Sequence, residues 1–370
     1  MAARRGESKK AVEPIAELRE LTLTGRPFDD EIASLASSPQ LSTLRALSVL
    51  GLDASDLSRL TASPHLTGLR ALRLTSSGLG TAGVRALTEA ATLTALEELD
   101  LSGPGYFEQY YEDPIISAAG MDSLAGWAGL SGVRSLTLSG SDVRRAGLRA
   151  LLRSPRAGAI QKLSLRGGRL DGPAMGEFGD ALPGLQLEEL DLGENVLGEL
   201  GATLLASAPC LRELKALTLD RCEIRLDGAR QLAKAAFADG LRLLEVGHNH
   251  FGPAGLAALL ERAPPLLHTL GMRDNDLFDK GAALLAESPA SDTLLEANLE
   301  QNDLGAGAAS ILGASEHLRK LLVLRLGKNP IPESSAATLS ASPLGQRLAV
   351  LELKRLTLEP DLFGQEDVPF

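Results

Sequence analysis

The hexad L-x-x-L-x-L, with Val or Ile twice at its first place, begins at Leu18, Leu44, Leu69, Leu96, Val133, Ile160, Leu187, Leu214, Leu241, Leu267, Leu294, Leu321 and Leu348. Successive starts lie 25–27 residues apart, except for one interval of 37. A length of 370 residues would otherwise suggest two or three separately cored domains. A beat this regular instead specifies one supersecondary unit stacked on copies of itself. The composition agrees: 44% of residues are hydrophobic but only 3% aromatic, so Leu and Ala carry the interior.

Two periods alternate within each unit. The L-x-L stretch has period 2 and reads as a short strand with one buried face. Segments such as 255–260 and 281–286 then space their apolar residues three and four apart, as a helix does. Small residues begin these helices (Gly83, Gly147, Gly201, Gly228, Gly255, Gly281), which predicts close approach of helix to strand layer. Proline follows most helices, for example at Pro64, Pro155 and Pro264, and fixes where the chain turns back. Strand, turn and helix of constant length predict parallel strands in register with helices outside them.

The ninth position of the unit is Asn195, Asn249, Asn275, Asn302 and Asn329, with Cys222 in one copy. Here the backbone leaves the strand, and an inward amide can satisfy groups that would otherwise be buried unpaired at about 1–3 kcal/mol each. The early units carry Arg26, Leu52, Ser77, Ser141 and Gly168 there. The amino-terminal half is therefore expected to be looser.

The full pattern L-x-x-L-x-L-x-x-N-x-L-G-x-x-G, as in 187–201 and 241–255, resembles the leucine-rich repeat, closest to its ribonuclease-inhibitor-like subclass with a helix in each unit, and Ala-Ser-Pro-His-Leu at 62–66 is similar to bacterial members. The resemblance implies an α/β fold: a right-handed leucine-rich-repeat solenoid, or horseshoe, of about 13 repeats of 27 residues, with parallel β-strands on the concave face and helices on the convex face. The 37-residue interval marks an insertion at 103–114 in a solenoid spanning 18–356, and because bare solenoid ends would expose core leucines, an N-terminal cap at 1–17 and a C-terminal cap or tail at 357–370 are expected. The resemblance also implies a protein-binding module, because such proteins mostly bind other proteins.

Charge and cysteine content narrow the function. Lys and Arg number 37 against 48 Asp and Glu, a net −11, which disfavours nucleic acid and anionic membranes as partners. With only Cys210 and Cys222, neither a disulfide framework nor a Cys-rich zinc module is available. No apolar run is long enough to span a bilayer, and residues 1–10 lack the apolar core of a secretory signal, so a cytoplasmic setting is expected. No cofactor motif stands out. Gly78-Leu-Gly80-Thr-Ala-Gly83 imitates a dinucleotide fingerprint, but the repeat itself supplies glycines at these places.

Catalysis finds little support: there is no nucleophile elbow, H-E-x-x-H or P-loop, and the chain is read as a non-enzyme. His248 and His250, with Asp274 and Asp276 at the same places of the next unit, are candidate metal ligands, weighed against a solvated polar edge. The third, fifth and seventh positions, facing away from the core, hold ten acidic and six basic residues and no aromatic. Aromatics are concentrated instead in the insertion, which contains Tyr106, Phe107, Tyr110 and Tyr111, with Trp127 following in the same unit. Aromatic loops on a solenoid often bind. These four, with Glu98, Asp100, Glu189 and Asp191, are the candidate contacts for a protein partner. A regulator or scaffold of a signalling enzyme, such as a small GTPase, is the alternative reading.

Overall fold

The computed structural model describes residues 18–24, 29–76, 79–103, 116–262 and 265–353. The cap expected at 1–17, the tail at 357–370 and all of the insertion except Gly103 lie outside them, and so do Arg26 and Ser77.

Thirteen strands form one parallel sheet in strict sequence order. They are β1 (Glu20–Leu23), β2 (Ala46–Leu50), β3 (Ala71–Thr75), β4 (Glu98–Asp100), β5 (Ser135–Thr137) and β6 (Lys162–Ser164). There follow β7 (Glu189–Asp191), β8 (Ala216–Thr218), β9 (Leu243–Glu245), β10 (Thr269–Gly271), β11 (Glu296–Asn298), β12 (Val323–Arg325) and β13 (Val350–Glu352). Every pairing joins like positions of the unit: Leu47 lies against Leu72, Leu99 against Leu136, Leu190 against Leu217. The register of β4 on β5 is the same as elsewhere although 37 residues separate the two hexads. With no slip in register, leucines of the fourth position all reach one face, and they bury into a single continuous core.

Helices alternate with the strands and run 8–10 residues in most units, as in Ala54–Thr61, Arg144–Leu152 and Phe278–Glu287. The glycines near their starts act differently from the expectation. A Cβ at Gly228 would meet Ile224 Cγ2 at 2.5 Å and Ala202 of the preceding helix at 3.2 Å; one at Gly147 would meet Met121 of the preceding helix at 2.7 Å. These glycines make room for the apolar side chain four residues earlier and for the neighbouring helix, not for the strand layer.

Between strand and helix the backbone alternates in hand. Positions eight, ten and twelve adopt positive φ in successive units: Arg221, Glu223 and Arg225 at 57°, 56° and 55°; His248, His250 and Gly252 at 56°, 54° and 60°; Asp274, Asp276 and Phe278 at 51°, 56° and 52°. For non-glycine residues this costs about 1–2 kcal/mol each. The reversals turn several peptide N–H groups toward the next coil: Arg221 donates to Gly247, His248 to Arg273 and Arg225 to Asn249, at 2.9, 2.7 and 3.0 Å. The buried asparagines take the others. Asn249 Oδ1 accepts from the N–H groups of Cys222 and Ile224, both at 3.1 Å, while its Nδ2 donates to the carbonyls of Leu219 and Val246 at 2.7 and 2.9 Å.

Candidate functional site

Alternation along each strand sends the third and fifth positions to the face opposite the core. Parallel pairing then lines up side chains about 4.8 Å apart across the sheet. On that face opposite charges have been set beside each other. Arg73 grips Glu98 with two nitrogens at 2.6 and 2.8 Å, and this hydrogen-bonded partner raises the pKa of its guanidinium. Lys162 lies 2.6 Å from Glu189. Arg166 bridges Glu194 and Asp220 at 2.9 and 3.0 Å, with Asp191 at 3.8 Å. Arg325 joins Glu296 and, at 3.6 Å, Glu352.

The four nominated carboxylates thus share one face but do not form one cluster. Glu98 and Asp100 are on β4 and Glu189 and Asp191 on β7, three strand steps or about 14 Å apart. All four have intramolecular partners. Asp100 accepts from the Ser102 N–H and hydroxyl at 2.9 and 2.5 Å; Asp191 accepts from the Ser164 hydroxyl at 3.0 Å and the Gly193 N–H at 2.9 Å. A cleft on the sheet runs from β5 to β9, lined by Thr137, Lys162, Ser164, Glu189, Asp191 and Thr218, so it includes the β7 carboxylates but neither of those on β4. The nominated aromatics Tyr106, Phe107, Tyr110 and Tyr111 lie outside the described residues. Gly103, the last described residue before them, donates its N–H to the Ser139 carbonyl at 2.9 Å. Trp127 is buried in the core at the end of the helix Ala118–Gly126.

A carboxylate not singled out by the sequence is Glu245. Its side chain lies over Gly271, where an added Cβ would fall on the carboxyl itself. Burial, then the charges of Glu296 and Asp220, push its pKa up to about 7, against the opposing pull of Arg325. The legible signal was the pairing of Glu at one fifth position with Gly at the next.

The two histidines separate. His248 Nδ1 lies 2.6 Å from Asp274 and its Nε2 lies 3.2 Å from an Arg221 nitrogen. Since a guanidinium only donates, a hydrogen bond from Arg221 makes Nε2 the acceptor and leaves Nδ1 to donate to Asp274. It is 11% exposed, so it does not stand outward on the loop. His250 Nδ1 lies 2.8 Å from Asp276, with the ring in solvent. Asp274 and Asp276 each orient one imidazole. Among the described residues no three His, Cys, Asp or Glu groups stand close enough to hold a metal ion. Cys210 and Cys222 are both free and buried, and burial pushes their thiols up to about 11 and about 12.

A family model described as a leucine-rich repeat matches residues 241–260. No curated protein matches the chain in sequence. Among solved structures, the chain is similar to Rad7 in the crystal structure of the Rad7 and Elc1 complex in yeast, with a TM-score of 0.53 and 15% identity, over 90% of this chain and 74% of that one. It is also similar to an internalin (inlF) from Listeria monocytogenes, with a TM-score of 0.49 and 20% identity, over 83% and 82% of the two chains. The fold is that of a leucine-rich repeat solenoid of thirteen units. No described helix is long and apolar enough to cross a membrane.

Proposed function

We propose that this chain is a non-enzymatic protein-binding module that presents its strand face and the aromatic segment 103–114 to a protein partner. The observation that carries this reading is the placement of the segment's root. It departs at Gly103, three residues after Asp100, from an unbroken thirteen-stranded face, and leaves the register of β4 and β5 untouched. Tyr and Phe anchors beside a polar, partly exposed ionic ladder supply the apolar centre and charged rim on which protein interfaces depend. Rad7, a chain of similar fold, was crystallised with the protein Elc1, which fits such a role. Helices of 8–10 residues in most units support the ribonuclease-inhibitor-like subclass. The buried free thiols suit the reducing cytoplasm.

The test is the quadruple variant Tyr106→Ala, Phe107→Ala, Tyr110→Ala and Tyr111→Ala in the full chain. Affinity capture from the native lysate should retain a protein with the unaltered chain and lose it with the variant, at a nearly unchanged melting temperature. A melting temperature that falls sharply while every captured protein survives makes the segment a structural cover and ends this reading.

A further inference from the structure

The charge balance of the chain hides a reversal. Residues 142–169 hold eight Lys or Arg against one Asp, whereas the flanking stretches 96–133 and 170–211 hold fifteen Asp or Glu and no Lys or Arg. Lys162 and Arg166 of the basic stretch are used by the strand-face ladder. The others lie elsewhere. Arg145, Arg149 and Arg153 follow one another at intervals of four along the helix Arg144–Leu152 and just past its end, which makes one stripe with steps of about 6 Å.

All three reach a single carboxylate, Glu177, at 2.8, 2.9 and 3.1 Å. Its side chain is 2% exposed while theirs are 47–52% exposed. The hydrogen bonds, those of Arg149 above all, hold the Glu177 pKa down at about 2. One nitrogen each from Arg145 and Arg153 and two from Arg149 occupy it. A guanidinium has five N–H donors, so most donors of the trio stay unused by Glu177, although Arg153 also meets Asp180 at 2.8 Å. Nearby, Arg156 has no ion pair among the described residues. Helix stability does not account for this placement: the helix begins with Arg144 and Arg145 and has no acid in its first turn, so both cations sit at the positive end of its dipole.

We infer that this helix face docks an acidic peptide segment of a partner protein. Glu177 fixes the three side chains in advance while most of their N–H donors stay free of it, and carboxylates accept guanidinium forks in pairs. The surface is one coil wide. A nucleic-acid backbone would run from it onto the acidic coils on either side, whereas a short run of Asp and Glu ends where the positive charge ends.

The probe is a fluorescent hexaglutamate peptide, titrated by anisotropy against the full chain at low salt, beside an oligothymidylate of eight nucleotides. Saturable peptide binding that weakens with salt is expected. Arg145→Glu with Arg153→Glu leaves the two-nitrogen grip of Arg149 and should weaken binding about tenfold or more. Arg156→Glu, which breaks no ion pair, should weaken it about threefold without lowering the melting temperature, and so reports even where the double variant fails to fold. Absence of saturable binding, an affinity unmoved by Arg156→Glu, or tighter capture of the oligothymidylate than of the peptide overturns the inference.

Discussion

The backbone N–H of Asn275 donates to the side-chain carbonyl of Asn302, 2.8 Å away in the next coil. Asn302 also accepts from Leu277 at 3.3 Å and donates to the carbonyls of Met272 and Glu300 at 2.8 and 3.0 Å. Replacing Asn302 by Ala strands these buried backbone groups, and urea unfolding should show a loss of about 2–4 kcal/mol. The same replacement at Ser141 removes a buried hydroxyl with no partner among the described residues, and should change stability by less than about 0.5 kcal/mol. Equal losses at the two sites would refute the ladder as a source of stability.

Cys222 occupies an asparagine place with a weaker donor: its Sγ reaches the Leu192 carbonyl at 3.2 Å. Cys222→Asn supplies two N–H donors and an oxygen at nearly the same volume. It should raise stability by about 0.5–1.5 kcal/mol, read as a higher urea midpoint at constant slope.

Glu245 makes stability depend on pH in the direction opposite to most carboxylates. Its folded pKa is about 7, above the unfolded carboxyl value of 4.5, so its protonated form favours the fold. That contribution is complete below pH 4.5 and is lost as pH rises toward 7 and beyond. Glu245→Gln should stabilise the chain at pH 8 by about 1–3 kcal/mol and remove this part of the slope between pH 4.5 and 7. Melting curves of both proteins across that range decide it.

Gly228 has no room for even a methyl group, with Ile224 2.5 Å and Ala202 3.2 Å from where one would sit. Gly228→Ala should destabilise by about 1–3 kcal/mol through displacement of the helix Arg225–Lys234 from its neighbour. Paired with Ile224→Ala, which withdraws the clashing Cγ2, the loss should be smaller than the two single losses combined.

The architecture was readable because leucine spacing fixes register directly: a period-2 strand slipped by one residue would turn Leu99 or Leu190 to solvent, and none is slipped. The inward asparagines were readable for the same reason, since a lone amide in an apolar pattern has to meet backbone groups. The left-handed backbone at Arg221, Glu223 and Arg225 was not, because these residue types carry no preference for positive φ; the neighbouring coil imposes it. Nor did composition reveal that Glu98 and Glu189 are held by Arg73 and Lys162 one strand away, since both partners come from the preceding unit, 25 and 27 residues earlier in the chain. Trp127, which follows the aromatic insertion in sequence, was not among the candidate contacts and is buried. A tryptophan beside an aromatic insertion is as well suited to fill a core as to meet a partner.

The asparagine ladder also gives the molecule a direction. Each amide carbonyl is filled by N–H groups of the coil before it, so the coils of Leu170, Ile224, Phe251, Leu277 and Leu304 are clasped by their successors, with one gap where Cys222 stands in the asparagine place. Toward the amino terminus the stack relies on leucine contacts and strand pairing without it. Stretched between its ends in an optical trap, the protein should therefore come apart in order, shedding its first coils at low force and giving up the last asparagine-bearing ones together, like a spring whose windings are soldered along only part of its length.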